Sequence, residues 1–164
     1  MKKLIIALLL LSPVAVFAQK FGHVDSQALL ETLPEISRIR GELEAFSKQK
    51  ENEITTMKNE YDRIVDEYIK NTSTMDEKTR NKKEETIQEL TNKIQFATSQ
   101  AQHDIEAKQM ELLEPVYEKI KTAIKNVGTA GQYTYIFETS AALFVGAGSK
   151  DLTNEIKAEI NRLK

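Results

Sequence analysis

The sequence predicts an α+β fold that is predominantly helical: a small body of short strands and helix caps carrying a long antiparallel two-helix coiled-coil arm. Three observations lead to it. Helix breakers crowd at the two ends, for between Glu35 and Val127 only Gly41 and Pro115 occur, whereas Gly128, Gly131, Gly146 and Gly148 fall close together. The middle is rich in Glu, Lys, Gln, Ile and Leu, which are strong helix formers or fill helix interiors readily. Its apolar residues recur at steps of three and four, and one polar break near residues 71–76 divides them into two runs.

Residues 1–18 have the layout of a secretory signal. Lys2 and Lys3 supply the positive start, Leu4 to Leu11 is unbroken apolar sequence, Pro13 ends the run, and Val16-Phe17-Ala18 offers small residues where a signal peptidase reads. Cleavage is expected between Ala18 and Gln19. The apolar run is well short of the roughly 20 residues a helix needs to span a bilayer. No cysteine follows it, so no lipoprotein anchor is expected. The mature chain is expected to be exported and soluble.

The body is assigned to residues 19–33 and 128–164, and the arm hairpin to residues 34–127. Lys20 to Val24 is a short extended segment, and Asp25 or Ser26 can cap a short helix through Leu29, Leu30 and Leu33. Pro34 suits the first turn of the next helix, where its missing N–H costs nothing. Ile39, Leu43 and Phe46, then Ile54, Met57, Tyr61, Ile64 and Tyr68, mark a heptad-like seam. The eleven residues from Phe46 to Met57 contain one stutter, and Lys50 falls on the seam there.

Asn71-Thr72-Ser73-Thr74 is the turn, and the second arm helix begins at about Asp76. Its apolar positions are Ile87, Leu90, Ile94, Ala97, Ala101 and Ile105, then Leu112, Leu113, Val116, Ile120, Ala123, Ile124 and Val127. Residues 95–110 are thinly apolar and cannot build a thick core. Pro115 predicts a kink or one missing backbone hydrogen bond. At 1.5 Å per residue the two helices would be roughly 55 and roughly 75 Å long. Tyr133 to Phe137 and Leu143-Phe144-Val145 are dense in β-formers and are expected to be strands. Asp151 or Thr153 can cap a last helix with Leu152, Ile156, Ile160 and Leu163 on its apolar face.

Composition excludes several functions. Residues 19–164 hold 21 Lys and Arg against 25 Asp and Glu, a net charge of −4, which gives no footing for nucleic-acid binding. The absence of cysteine removes disulfides and thiolate metal sites. His23 and His103 are the only histidines, and no metal-ligand spacing surrounds either. Gly146-Ala147-Gly148-Ser149-Lys150 lacks the spacing of a phosphate-cradling loop, and a strand-to-helix turn explains it. No enzymatic activity and no cofactor are expected, since no nucleophile–base–orienter set can be assembled. A body of 52 residues without staples is marginal alone, and its exposed strand edges call for a partner, so oligomerisation through the body is expected.

The ends carry a resemblance. Phe21-Gly22-His23-Val24-Asp25-Ser26, Leu30-Glu31-Thr32-Leu33-Pro34-Glu35, Tyr135-Ile136-Phe137-Glu138, Asp151-Leu152-Thr153 and the closing Ile160-Asn161-Arg162-Leu163-Lys164 resemble motifs of the Skp/OmpH family of periplasmic chaperones. The resemblance covers essentially residues 19–164, although the arms match only in helix pattern and length. It implies a homotrimer with a small β-barrel-type oligomerisation body and three arms. It also implies an ATP-independent holdase in the periplasm that binds unfolded outer-membrane β-barrel proteins. The alternative is a structural coiled-coil envelope protein that bridges partners without chaperone activity.

On that footing Met57, Tyr61, Tyr68, Phe96 and Met110 are candidate client contacts, because adaptable apolar side chains suit many-point binding. Met57 and Tyr61 lie on the heptad stripe and are better explained as seam residues, whereas Phe96 falls off it. Phe21, Val24, Tyr133, Tyr135, Phe137 and Phe144 are candidate oligomer-strand residues. The family is expected to be strongly basic, and this chain departs from it. Only the tip, Lys70 to Lys83, is basic, at +3, and Lys78, Arg80, Lys82 and Lys83 are candidates for contact with an anionic membrane surface.

Overall fold

The computed structural model describes residues 19–163. The expected export signal and its cleavage residue Ala18 lie outside the described residues, and Gln19 is the first within them. The fold is predominantly helical with one small sheet. In chain order it comprises β1 (Phe21–Val24), α1 (Ser26–Thr32), α2 (Pro34–Asn71), α3 (Glu77–Ala130), β2 (Tyr135–Glu138), a 3₁₀ turn (Thr139–Ala141), β3 (Ser149–Asp151) and α4 (Thr153–Arg162). By contact the chain forms two compact units: one joins the segment up to Leu29 to the chain from Ile120 onward, the other is Leu30–Lys119.

In the first unit the strands pair in the order β2-β1-β3, all parallel. Phe21 stands opposite Tyr135 and Ser149, and His23 opposite Phe137 and Asp151. With a period of two, Gly22 and Val24 turn to the opposite face, where both are buried. Leu29, Ile120, Ala123, Leu152, Ile156 and Ile160 complete the core of this unit. Each large aliphatic side chain buried there contributes about 1.5–3 kcal/mol. The amide of Ala28 donates to the Asp25 carboxylate at 2.9 Å, so Asp25 caps α1.

Two strand assignments are corrected. Tyr133 lies before β2, and Leu143, Phe144 and Val145 belong to no strand. The third strand is instead the polar Ser149–Asp151. The side of β1 not taken by β2 offers a ladder, and the chain pairs with it only after the Gly146-Ala147-Gly148 turn, with the Ser149 amide donating to the Gly146 carbonyl at 3.0 Å. Availability of a backbone partner outweighs β-propensity here.

In the second unit α2 starts at Pro34, directly after Leu33. Its 38 residues and the 54 of α3 correspond to about 57 and about 81 Å. The turn between them is closed by the amides of Thr74 and Met75 donating to the Asn71 carbonyl. Asp76 caps α3 by accepting from the Thr79 amide at 3.0 Å. The helix α3 runs unbroken through Pro115. Leu33, Ile39, Ile64, Leu90, Ala101 and Val116 are the buried apolar residues of this unit.

Candidate functional site

Cross-helix ion pairs fix the register of the helical unit. Glu35 pairs with Lys119 at 2.9 Å, Glu42 with Lys108 at 3.8 Å, Lys50 with Asp104 at 2.6 Å and Glu67 with Lys83 at 3.0 Å. As one number rises its partner falls, so α3 returns alongside α2. Hydrogen bonding to Lys119 holds the Glu35 carboxyl below its usual range. Lys83 does the same for Glu67, and Lys50 for Asp104.

Lys50 occupies the stutter in the seam. Its ammonium lies 5.3 Å from the Phe46 ring centroid while it bonds Asp104, and that bond raises its pKa. Beyond it the seam is thin. A cavity of about 250 Å³ is lined by Ile54, Met57, Phe96, Ala97 and Ala101 beside the Lys50–Asp104 pair.

These contacts sort the candidate client residues. Met57, Tyr61 and Tyr68 are half-buried along the stripe that includes buried Ile39 and Ile64, and the Tyr68 hydroxyl donates to Glu84 at 2.5 Å. Phe96 and Met110 are 70% and 73% exposed. The sequence reading missed Tyr117, which is 51% exposed on the same helix. The signal for it is present, because Phe96, His103, Met110 and Tyr117 recur every seven residues.

At the tip Lys78, Arg80 and Lys82 are exposed, whereas Lys83 is half-buried against Glu67. In the first unit, Phe21 stacks on Tyr135 with centroids 6.2 Å apart, and Tyr135 on Phe137 at 5.7 Å. Tyr135 and Phe137 remain half exposed, and Leu143 and Phe144 are exposed. Val24 is a core residue rather than a surface one. Tyr133 is half-buried beneath the Lys20 ammonium, 4.3 Å from its ring centroid.

The terminal motifs meet in this unit. The Leu152 amide donates to the His23 carbonyl at 2.9 Å, and the Asp25 amide donates to Thr153 Oγ1 at 3.1 Å. Asp151 accepts from the Thr153 amide at 2.9 Å. The Ser26 hydroxyl and amide both donate to the Glu138 carboxylate. The segments around residues 21–26, 138 and 151–153 are thus one hydrogen-bonded cluster, which explains why those short stretches are informative. The sequence profile described as outer membrane protein (OmpH-like) matches residues 20–160. The chain belongs to the OmpH-like family.

A crystal structure of a candidate OmpH-like outer membrane chaperone from Caulobacter crescentus superposes on the chain with a TM-score of 0.76. It is 17% identical, and the match covers 89% of this chain and 86% of that one. At that identity the likeness establishes the OmpH-like fold. No curated protein matches the sequence. Among the described residues of this OmpH-like chain, no helix is long and apolar enough to cross a membrane. Among the same residues, no three His, Asp or Glu side chains gather into a metal-binding group.

Proposed function

We propose that the chain is an ATP-independent holdase chaperone of the periplasm that binds unfolded outer-membrane β-barrel proteins and prevents their aggregation. The observation that carries this reading is the set of large apolar side chains left exposed on α3 of an OmpH-like fold: Phe96, Met110 and Tyr117. A holdase requires many weak apolar contacts that adapt to unlike segments, and separated Met and aromatic side chains on a rigid helix supply them.

The reading includes a homotrimer built through the first unit. Both β2 and β3 are sheet edges, and the Phe21–Tyr135–Phe137 face and Leu143-Phe144 are apolar surface. Joining three such sheets edge to edge closes them into a small β-barrel-type body and removes the open edges. Support from the two-helix coiled-coil arm comes from the ladder of ion pairs along α2 and α3.

The test is to dilute a urea-denatured outer-membrane β-barrel protein into buffer with and without the mature chain and follow light scattering. Suppression by equimolar trimer is expected. Undiminished scattering at several-fold excess overturns the holdase and favours a structural coiled-coil protein. Sedimentation equilibrium checks the trimer, and a stable folded monomer at low concentration removes it.

A further inference from the structure

The large apolar residues exposed on α3, Phe96, Met110 and Tyr117, form a line rather than a scatter. Positions seven apart on a helix drift by only about 20°, so Phe96, His103, Met110 and Tyr117 lie nearly in register along about 32 Å. All four are exposed. Toward its C-terminal end the line is bordered by carboxylates. Glu106, Glu111, Glu114 and Glu118 flank Met110, Leu113 and Tyr117 around a shallow groove of about 690 Å³. The nearby cation Lys108 is turned to Glu42 and Glu111.

From this geometry we infer that the α3 stripe is a docking face for extended polypeptide segments that are both apolar and cationic. The inference rests on the holdase reading and gives it a substrate class. The apolar line supplies contact area, and the glutamate border selects the sign of the flanking charge. An extended chain rises about 3.3 Å per residue, so about ten residues span the stripe. A second copy fits it poorly. Laid parallel, it would set glutamate against glutamate; laid antiparallel about the midpoint, it would face them with Gln95, Ser99 and Gln102, which carry no positive charge. The selection runs opposite to what a basic chaperone surface would impose, and it matches the acidic balance of this chain.

The experiment uses the mature full chain and three fluorescent peptides of about ten residues, the length set by the stripe: alternating Leu and Lys, alternating Leu and Glu, and alternating Ser and Lys. Anisotropy titrations at low salt are expected to show the Leu/Lys peptide binding about tenfold or more tighter than either control. Paired Glu106→Gln and Glu114→Gln are expected to erase most of the preference over Leu/Glu. Paired Met110→Ser and Tyr117→Ser are expected to weaken Leu/Lys binding about tenfold.

Equal binding of Leu/Lys and Leu/Glu to the wild-type chain overturns the inference without any variant. Unchanged Leu/Lys binding by the Met110/Tyr117 variant also overturns it, as does loss of the oligomer by that variant in sedimentation velocity, which would place a second copy on the stripe. The two readings fail separately. Suppressed aggregation of a denatured β-barrel without charge preference among the peptides removes only the docking face, whereas absence of suppression removes the holdase itself.

Discussion

A Cβ placed on Gly22 would lie 2.5 Å from Cδ1 of Leu152. Glycine is therefore required at this point of β1 because the side chain that opens α4 rests directly on the strand backbone. Leu152 is itself fully buried, so its side chain has little room to turn away. Gly22→Ala is expected to destabilise the chain by about 1–3 kcal/mol, the usual cost of overpacking. Urea unfolding followed by circular dichroism measures it. Because the two side chains share one space, Gly22→Ala with Leu152→Val should cost less than the sum of the separate changes. Simple additivity would show that the clash is relieved elsewhere.

The Lys50–Asp104 pair makes the helical unit sensitive to pH at both ends. Lys50 holds the Asp104 carboxyl below its usual range, as Lys119 and Lys83 hold those of Glu35 and Glu67. A lowered folded-state pKa contributes stability above the unfolded value, and that stability is lost as pH falls through the folded value. Lys50 is raised, so its contribution is complete below the usual lysine pKa and disappears as pH rises through the raised one. The thermal midpoint is expected to fall between about pH 5 and about pH 3. Lys50→Met removes the main cause of the Asp104 shift and should flatten part of that fall. Parallel midpoint curves for the two proteins would show that the pair does not couple to folding.

Much of this architecture is legible in the sequence because it is local. Pro34 marks the start of α2, the polar run after Asn71 marks the turn, and Asp25 and Asp76 cap the helices that follow them. What was not legible depends on pairing across the chain. Leu143-Phe144-Val145 has the composition of a strand but pairs with no strand among the described residues, while the polar Ser149–Asp151 pairs with β1. Val24, a β-branched residue of β1, lies in the core of the first unit. For the candidate site the seam stripe was visible through its steps of three and four. The exposed stripe was missed at Tyr117 because Leu113 and Val116 beside it dominate the local apolar pattern, although its period of seven is just as regular.

At the tip the basic residues divide by their partners. Lys78, Arg80 and Lys82 are exposed, whereas Lys83 is drawn into the Glu67 pair. A basic residue near an anionic bilayer contributes about 1 kcal/mol, so replacing Lys78, Arg80 and Lys82 by Gln is expected to lower binding to anionic vesicles about a hundredfold at low salt. Lys83→Gln should leave vesicle co-sedimentation nearly intact and instead lower the thermal midpoint slightly. Equal losses from the two variants would show that Lys83 leaves Glu67 to join the membrane contact.

Pro115 sits inside α3 without interrupting it. It has no N–H, so the Glu111 carbonyl receives no bond from the residue four positions on. A proline in a helix interior is about 3 kcal/mol less favourable than alanine. Its ring is exposed, so little packing offsets that cost. The neighbours on the seam side, buried Val116 and the Lys119–Glu35 pair one turn later, do not depend on the ring. Pro115→Ala is therefore expected to stabilise the chain by about 1–3 kcal/mol, read as a higher urea midpoint with an unchanged slope. The same variant restores a backbone N–H next to Leu113, Glu114 and Tyr117, so peptide binding at that groove should change together with stability. A stability gain with unaltered binding would show that the proline shapes nothing the groove uses. A lower midpoint would mean that the ring packs against a partner chain.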